Sequence, residues 1–113
     1  MSEMLVLTTA DTPELAQKLA RALVEGGEAA CVSILPGVRS IYRWKGRVCD
    51  EGELLLLIKT SAERFEGLRS TIRRLHTYEV PEILGLPIDR GDSDYLAWLR
   101  SQLSDSGAAD SNF

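Results

Sequence analysis

The apolar residues of the chain fall into short runs and helically spaced stripes that predict alternating strands and helices. The run Glu3–Thr9 has the length of a buried strand. Asp11 or Thr12 can cap the helix that follows, and Pro13 suits its first turn. This helix should continue to about Glu25, because apolar residues recur along it at helical spacing: Leu15, Leu19, Ala22 and Leu23.

The central stretch predicts one long hairpin, Ala29–Thr60, with Lys45-Gly46 at its tip. An unbent outgoing arm would span about 50 Å at roughly 3.3 Å per residue, whereas a compact chain of this length has a radius of gyration of about 13 Å. The arm should therefore bend at Pro36-Gly37, or its tip should pack against another chain. Both faces of the return arm are apolar, because successive residues of Leu54–Ile58 point to opposite sides of a strand.

The second half predicts a helix, a loop, a strand and a short last helix. Ser61 is the predicted cap of the second helix, and residues 76–82, HTYEVPE, form a structured loop because Pro81 disfavours helix before it. Ile83–Ile88 is the fourth strand, and Asp92 or Ser93 caps the last helix. The two helices are recognised by their spaced apolar residues: Phe65, Leu68, Ile72 and Leu75 in one, Tyr95, Leu96, Trp98, Leu99 and Leu103 in the other.

The order strand, helix, strand, strand, helix, strand predicts an α+β, ferredoxin-like split βαβ sandwich with an appended C-terminal helix. Right-handed crossovers place both main helices on one face of the sheet and leave the other face bare. A bare face rich in leucine favours self-association, because soluble monomers avoid large exposed apolar patches. We predict one domain at 1–103 and a disordered tail at 104–113, SDSGAADSNF.

Composition narrows the classes of function and partner. Lys and Arg total 13 against 17 for Asp and Glu, which gives a net charge of −4 and argues against nucleic-acid binding. No stretch approaches the roughly 20 apolar residues of a membrane span, and the start resembles no signal peptide, so we expect no membrane partner and a cytoplasmic protein. Cys31 and Cys49 are expected to be reduced thiols.

The one histidine, His76, opens the pattern H-x-x-E-x-x-E with Glu79 and Glu82. Folded inwards, these side chains offer one nitrogen and two oxygen donors to a metal, and a thiolate from Cys31 or Cys49 could join them. The alternative is a helix-capping histidine whose neighbouring glutamates form ion pairs.

Aromatic residues gather beside the hairpin tip. Tyr42 and Trp44 are of the type that anchors a subunit interface, and they could equally form the wall of a ligand cleft between subunits. For Lys59, at the end of the leucine strand, there are two interpretations: it forms an ion pair with Glu79 or Glu82, or it binds an anion. No nucleophile elbow, phosphate-binding glycine loop or paired zinc motif occurs, so we predict that the protein is not an enzyme.

Four ordered stretches resemble the CutA divalent-cation tolerance proteins: AACVSILPGVRSIYRWKGRV, EGELLLLIKTS, HTYEVPEILGLPI and GDSDYLAWL. The resemblance extends over Leu5–Leu103. It implies a ferredoxin-like subunit in a tightly packed homotrimer whose long hairpins exchange contacts between neighbours. It also implies a role in metal tolerance with a bound divalent metal, copper foremost.

Carried over residue by residue, the resemblance implies a metal set of His76, Glu79, Glu82 and Cys31. The sequence differs from the family pattern at two positions. Thr77 stands where the family usually has proline, which frees the loop of one φ constraint. Thr8 stands where some copper-binding members have cysteine, which removes a soft donor that would favour Cu(I).

The alternative function is a trimeric signalling or scaffold protein. In that hypothesis a small anionic ligand binds in the cleft between subunits, through Lys59 and the aromatic residues Tyr42, Trp44 and Tyr78.

Overall fold

Four antiparallel strands and three helices make up the computed structural model, which describes residues 2–103; the predicted tail at 104–113 lies outside the described residues. The elements in chain order are β1 (Glu3–Ala10), α1 (Pro13–Glu25), β2 (Cys31–Trp44), β3 (Arg47–Ser61), α2 (Phe65–Leu75), β4 (Leu84–Pro87) and α3 (Ser93–Ser101). The sheet order is β2-β3-β1-β4. The predicted α+β, ferredoxin-like arrangement is confirmed.

The first strand and helix follow the sequence pattern closely. The Thr12 hydroxyl caps α1 by accepting a hydrogen bond from the Leu15 N–H at 3.1 Å. Gly27 follows the helix with a φ of 73°, a left-handed conformation that glycine adopts without steric cost. No helix within residues 2–103 has the length and apolar character needed to cross a bilayer.

The long hairpin both bends and projects from the body. Lys45 and Gly46 have φ values of 51° and 78°, the paired left-handed conformations of a type I′ turn, which matches the twist of the two strands. The pairing of β2 with β3 shifts between Leu35 and Val38, and Gly37 between them has a φ of 80°. The predicted bulge at Pro36-Gly37 is therefore confirmed. The molecule is 48 Å along its longest axis, because the distal hairpin extends beyond the other strands.

The core lies between α1, α2 and one face of the sheet. Val6, Leu56 and Ile58 point to this face and are fully buried. The helices cover them with fully buried side chains of their own: Leu19, Leu23, Leu68 and Ile72. Burial of each such side chain stabilises the fold by about 2 kcal/mol, so the core depends on the alternation that aims these residues at the helices.

The beginning of the second helix differs from the prediction. Ser61 ends β3, one turn of 3₁₀ helix follows at Ala62–Arg64, and α2 begins at Phe65. The Ser61 side chain makes no capping hydrogen bond. The Ala62 N–H donates to the Ser2 carbonyl at 2.9 Å, so sheet pairing continues one residue beyond Ser61 and the α-helix starts later than expected.

The opposite face of the sheet is less bare than predicted. Arg100 of α3 donates to the Glu3 carboxylate at 2.6 Å, and Leu99 is fully buried, so α3 covers the end of this face that carries Glu3. The middle of the face stays half-buried at Leu5, Leu7, Leu55 and Leu57. Toward the β4 edge Leu84 and Leu86 are 55% and 44% exposed. An uncovered apolar strip therefore remains.

The Glu3–Arg100 ion pair should make stability depend on pH. The hydrogen bond from Arg100 lowers the pKa of Glu3 below its ordinary 4.5, so the folded state prefers the charged carboxylate. Its contribution is therefore complete above pH 4.5 and is lost as the pH falls through the folded-state pKa. We expect Glu3→Gln to lower the free energy of unfolding by about 1 kcal/mol near pH 7, a modest value because Arg100 is partly exposed. In strong acid the substitution should lower it by almost nothing.

Denaturant unfolding of wild type and Glu3→Gln at several pH values checks this. Glu63→Gln, which removes the same charge from an exposed position, is the control. A constant difference between wild type and Glu3→Gln across the acid range would contradict the assignment.

Candidate functional site

A cavity of about 580 Å³ opens on the sheet face opposite α1 and α2, between the distal hairpin and the segment 76–82. We call it the acidic cleft. Three aromatic rings and five carboxylates line it: Tyr42, Trp44, Tyr78, Asp11, Glu51, Glu53, Glu79 and Glu82. None of the described residues that line it is basic.

The β-bulge decides which side chains reach the cleft. Before the bulge Leu35 faces Leu55, and after it Val38 faces Glu53, so three steps along β2 match two along β3. The extra residue exchanges the two faces of β2 relative to β3. As a result Tyr42 and Trp44 stand on the same face as Glu53, whereas an unbroken register would turn both rings away.

His76 holds in place the loop 76–82, which forms the other wall of the cleft. The Tyr78 N–H donates to His76 Nδ1 at 3.1 Å, so Nδ1 is the accepting, unprotonated nitrogen. Nε2 therefore carries the proton and donates to the Thr9 carbonyl at 2.7 Å. Both ring nitrogens are engaged in holding the segment 76–82 against the end of β1. His76 caps α2 through its backbone N–H, which donates to the Ile72 carbonyl, and the ring contacts are with β1 and the loop.

Tyr78 joins the loop to the hairpin. Its hydroxyl donates a hydrogen bond to the Glu53 carboxylate. Burial, this hydrogen bond and the nearby negative charge of Glu53 all raise the pKa of Tyr78, so the phenol stays protonated and keeps donating. The bond closes one end of the cleft across 25 residues of sequence.

Negative charges lie near one another along the cleft, although Glu82 itself is an exposed residue. Desolvation, followed by repulsion from Glu53, raises the pKa of Glu82. Desolvation, with the charge of Glu51 and the neighbouring Cys49, likewise raises the pKa of Tyr42. A cation placed between Glu53 and Glu82 would relieve this repulsion.

One ammonium group lies at the mouth of the cleft. Lys45 Nζ is 3.9 Å from Glu79 Oε1 and 5.7 Å from the centre of the Trp44 ring. The Lys45 and Glu79 side chains are both more than two-thirds exposed, so this ion pair is weak and easily exchanged.

The structure brings some of the predicted site residues together and separates others. Glu79, Glu82, Tyr42, Trp44 and Tyr78 line the acidic cleft, with His76 directly behind its loop. These six come from the hairpin and the segment 76–82.

Cys31 and Lys59 lie elsewhere, paired across β2 and β3. Lys59 Nζ is 3.8 Å from Cys31 Sγ and 2.8 Å from Ser33 Oγ, and neither Cys31 nor Lys59 lines the cleft. Glu79 has Lys45 as its ion-pair partner in place of the expected Lys59. An anion site built from Lys59 and the aromatic residues is therefore not assembled within this chain.

Within residues 2–103, no three His, Cys, Asp or Glu side chains are arranged to hold a metal ion together. The metal set predicted from the resemblance, His76, Glu79, Glu82 and Cys31, thus stays a prediction that one chain alone does not build.

Sequence reasoning missed Asp11, Glu51 and Glu53 as cleft residues. Their signal was weak, because acidic residues near a hairpin tip are ordinary solvent-facing residues. The alternation of Glu51 and Glu53 with Leu55 and Leu57 does place all four on one face, but the proximity of Tyr78 arises only from the fold.

Comparison with known proteins identifies a family that this chain matches. The family model described as CutA1 divalent ion tolerance protein matches residues 4–102. The divalent-cation tolerance protein CutA of Thermus thermophilus is 51% identical over 98 residues, which cover 87% of this chain and 95% of that protein.

Solved structures agree with this comparison. The divalent cation tolerance protein (Cut A1) from Thermus thermophilus superposes with a TM-score of 0.88 at 49% identity, and the match covers 90% of this chain and 99% of that one. CutA1 from Oryza sativa superposes with a TM-score of 0.91 at 36% identity and covers 94% and 97% of the two chains.

Removal of the Glu82 charge is expected to stabilise the protein rather than destabilise it. Because the pKa of Glu82 is raised in the folded state, its ionisation at neutral pH opposes folding, and this cost vanishes below its ordinary 4.5. We expect Glu82→Gln to stabilise the protein at pH 7 by less than about 1 kcal/mol, since solvent screens a partly exposed group.

Urea unfolding at pH 7 and at pH 3.5 measures this gain, which should be lost in acid. Glu63→Gln controls for the general effect of lowering the negative charge. Destabilisation by Glu82→Gln at neutral pH would contradict the like-charge description of the cleft.

Proposed function

Because the chain belongs to the CutA1 divalent ion tolerance family, we propose that it is a cytoplasmic homotrimer that binds divalent cations and performs no catalysis. The observation that carries the cation-binding proposal is the acidic cleft itself. Five acidic residues line one cavity, no described lining residue is basic, and the pKa of Glu82 is raised by desolvation and by the charge of Glu53.

The donor chemistry bears on which metal the cleft prefers. Carboxylate oxygens suit hard cations, and a Mg²⁺-like ion that keeps several waters needs only one or two carboxylates, which Glu53 and Glu82 supply. Copper, implied by the family resemblance, prefers imidazole or thiolate. Both nitrogens of His76 are engaged and Cys31 lies outside the cleft, so the residues of one chain fit a hydrated hard cation better than copper.

The trimer is supported by the uncovered apolar strip. Leu5, Leu7, Leu55 and Leu57 are half-buried, and Leu84 is exposed, although all five lie on one sheet face. Covering this strip with other copies of the chain would remove leucine side chains from water at roughly 25 cal/mol per Å². The projecting hairpin offers a second contact, since its distal part pairs with no other strand among the described residues.

The proposed compartment and the absence of catalysis each have physical support. Cys31 and Cys49 are both free thiols, the form that a reducing cytoplasm maintains. His76 uses both nitrogens in structural hydrogen bonds, which leaves it without the exchangeable lone pair that general acid–base catalysis uses.

Calorimetric titration with Mn²⁺ and with Cu²⁺ tests the metal proposal. We expect the double variant Glu53→Gln, Glu82→Gln to bind Mn²⁺ at least about tenfold more weakly than wild type, because two charged ligands become neutral. His76→Ala should bind Mn²⁺ like wild type, and circular dichroism checks that it remains folded.

Equal Mn²⁺ binding by wild type and the Glu53, Glu82 double variant would remove the proposed site. Cu²⁺ binding that is tighter than Mn²⁺ binding and lost in His76→Ala would favour the imidazole-containing set instead.

The trimer is tested by changing Leu55 and Leu57 to glutamate. Charged side chains in the covered strip should dissociate the assembly, because burying them unpaired costs several kcal/mol. Light scattering should give about three times 12.5 kDa for wild type and a mass near 12.5 kDa for the variant. Val24→Glu, at a 43% exposed position on α1, should leave the mass unchanged. A wild-type mass of 12.5 kDa would refute the trimer.

A further inference from the structure

A thiol and an amine lie side by side on the sheet face opposite α1 and α2, outside the acidic cleft. Cys31, the first residue of β2, is the direct partner of Lys59 on β3. Lys59 Nζ is 3.8 Å from Cys31 Sγ and 2.8 Å from Ser33 Oγ. Because residues paired across two strands have their Cβ atoms about 5 Å apart, the register itself holds the two side chains together.

The Lys59 amine has no carboxylate partner that would hold it elsewhere. None of the ion pairs among residues 2–103 includes Lys59. The Ser33 hydroxyl accepts a hydrogen bond from the ammonium and keeps it on the side of the sheet where Cys31 stands. Since the lysine stem is flexible, rotation about its bonds can bring the nitrogen to the sulfur without movement of either strand.

The sulfur of Cys31 is open to a small oxidant. Cys31 is a free thiol and only half-buried. Oxidation of a thiol first gives a sulfenic acid, which condenses with a second thiol or with a nitrogen beside it. The second thiol, Cys49, is paired with Tyr42 near the opposite end of β3 from Lys59, so the nucleophile beside Cys31 is the lysine amine.

We propose that Cys31 and Lys59 form a reversible covalent cross-link when the protein meets hydrogen peroxide. The sulfur first attacks the peroxide, the O–O bond breaks, and a sulfenic acid and water form. The Lys59 ammonium releases a proton to solvent, and the neutral amine attacks the sulfenic sulfur. An S–N bond forms, the S–O bond breaks and a second water leaves, so the sulfur is oxidised and the peroxide is reduced to water.

A small thiol reverses the cross-link. Its thiolate attacks the sulfur, the S–N bond breaks, and the lysine amine takes up a proton as it leaves. A second small thiol then resolves the mixed disulfide and restores Cys31. The cross-link uses two side chains of one chain and no residue of the acidic cleft, so it depends neither on the metal proposal nor on the trimer.

The cross-link changes the molecule in two ways. It ties the first residue of the edge strand β2 to β3, which closes residues 31–59 into a covalent loop and restricts the unfolded chain as a disulfide does. It also replaces the Lys59 ammonium with an uncharged nitrogen. Because Lys59 pairs with Leu5, this positive charge is lost directly beside the uncovered apolar strip.

Peptide mapping of the full chain after treatment with hydrogen peroxide and EDTA tests the proposal. Trypsin, used without reductant, should release residues 22–39 joined to residues 48–64, because a modified Lys59 is no longer cut. The joined product should weigh about 2 Da less than the two peptides together, since one hydrogen leaves each partner. Dithiothreitol should separate the two peptides again.

Matched variants identify the two reacting groups. Lys59→Arg keeps the positive charge but offers no neutral amine, so it should form no cross-link, and dimedone should label its Cys31 sulfenic acid several-fold more than in wild type. Cys49→Ser and Lys45→Arg should cross-link like wild type. After oxidation, wild type should unfold at a higher urea concentration than Lys59→Arg, and dithiothreitol should abolish the difference.

The cross-link is overturned if Cys31 of wild type stays unmodified or accumulates as sulfenic or sulfinic acid with residues 22–39 unlinked. It is also overturned if the joined peptides appear in Cys31→Ser, or if Lys59→Arg and wild type take up dimedone alike. The wild-type peptide map decides the question even where a variant fails to fold, which circular dichroism checks.

Discussion

The alternation of side chains across β3 is the constraint on which the rest of the molecule depends. Leu56 and Ile58 point to the helices and are fully buried, while Leu55 and Leu57 point to the opposite face and remain half-buried. One strand therefore serves two different surfaces. A slip of one residue in its pairing with β1 would exchange the two sets, exposing the core leucine and burying Lys59 among the helices.

The same alternation joins the apolar strip to the acidic cleft. Toward the hairpin tip, the face that carries Leu55 and Leu57 continues with Glu53 and Glu51. Hydrophobic contact and negative charge thus occupy adjacent parts of one surface. In the proposed assembly, the neighbours that cover the leucines would stand next to the cleft, so association would also affect how far its carboxylates are desolvated.

Local chemistry made much of the fold predictable from sequence. The Thr12 cap, the Lys45-Gly46 turn and the Pro36-Gly37 bulge each follow from residues close together in the chain. Ser61 stands before the first helical turn as predicted, but its side chain makes no capping hydrogen bond. Ser61 still belongs to β3, whose pairing extends to the hydrogen bond from the Ala62 N–H to the Ser2 carbonyl. A partner so distant in sequence is not visible in a short-range pattern.

The candidate site was harder to predict for a related reason. Glu79 and Glu82 were identified by their proximity to His76, yet the hydrogen bond of Tyr78 to Glu53 and the bonds of His76 to β1 depend on the path of a loop. Lys59 was expected at the cleft because it ends the leucine strand. It lies instead on β3 opposite Cys31, near the far end of that strand from the cleft, as the register shows directly.

The bulge at Pro36-Gly37 has a consequence for how this hairpin tolerates change in length. Beyond the bulge, the pairs Val38–Glu53, Tyr42–Cys49 and Trp44–Arg47 set the face on which each side chain lies. Loss of the one extra residue would join the two halves of β2 into a continuous ladder with these pairs unchanged, so Tyr42 and Trp44 would stay beside the carboxylates. The bulge is therefore the place where this arm can absorb a change of one residue in length without turning the two rings away from the cleft.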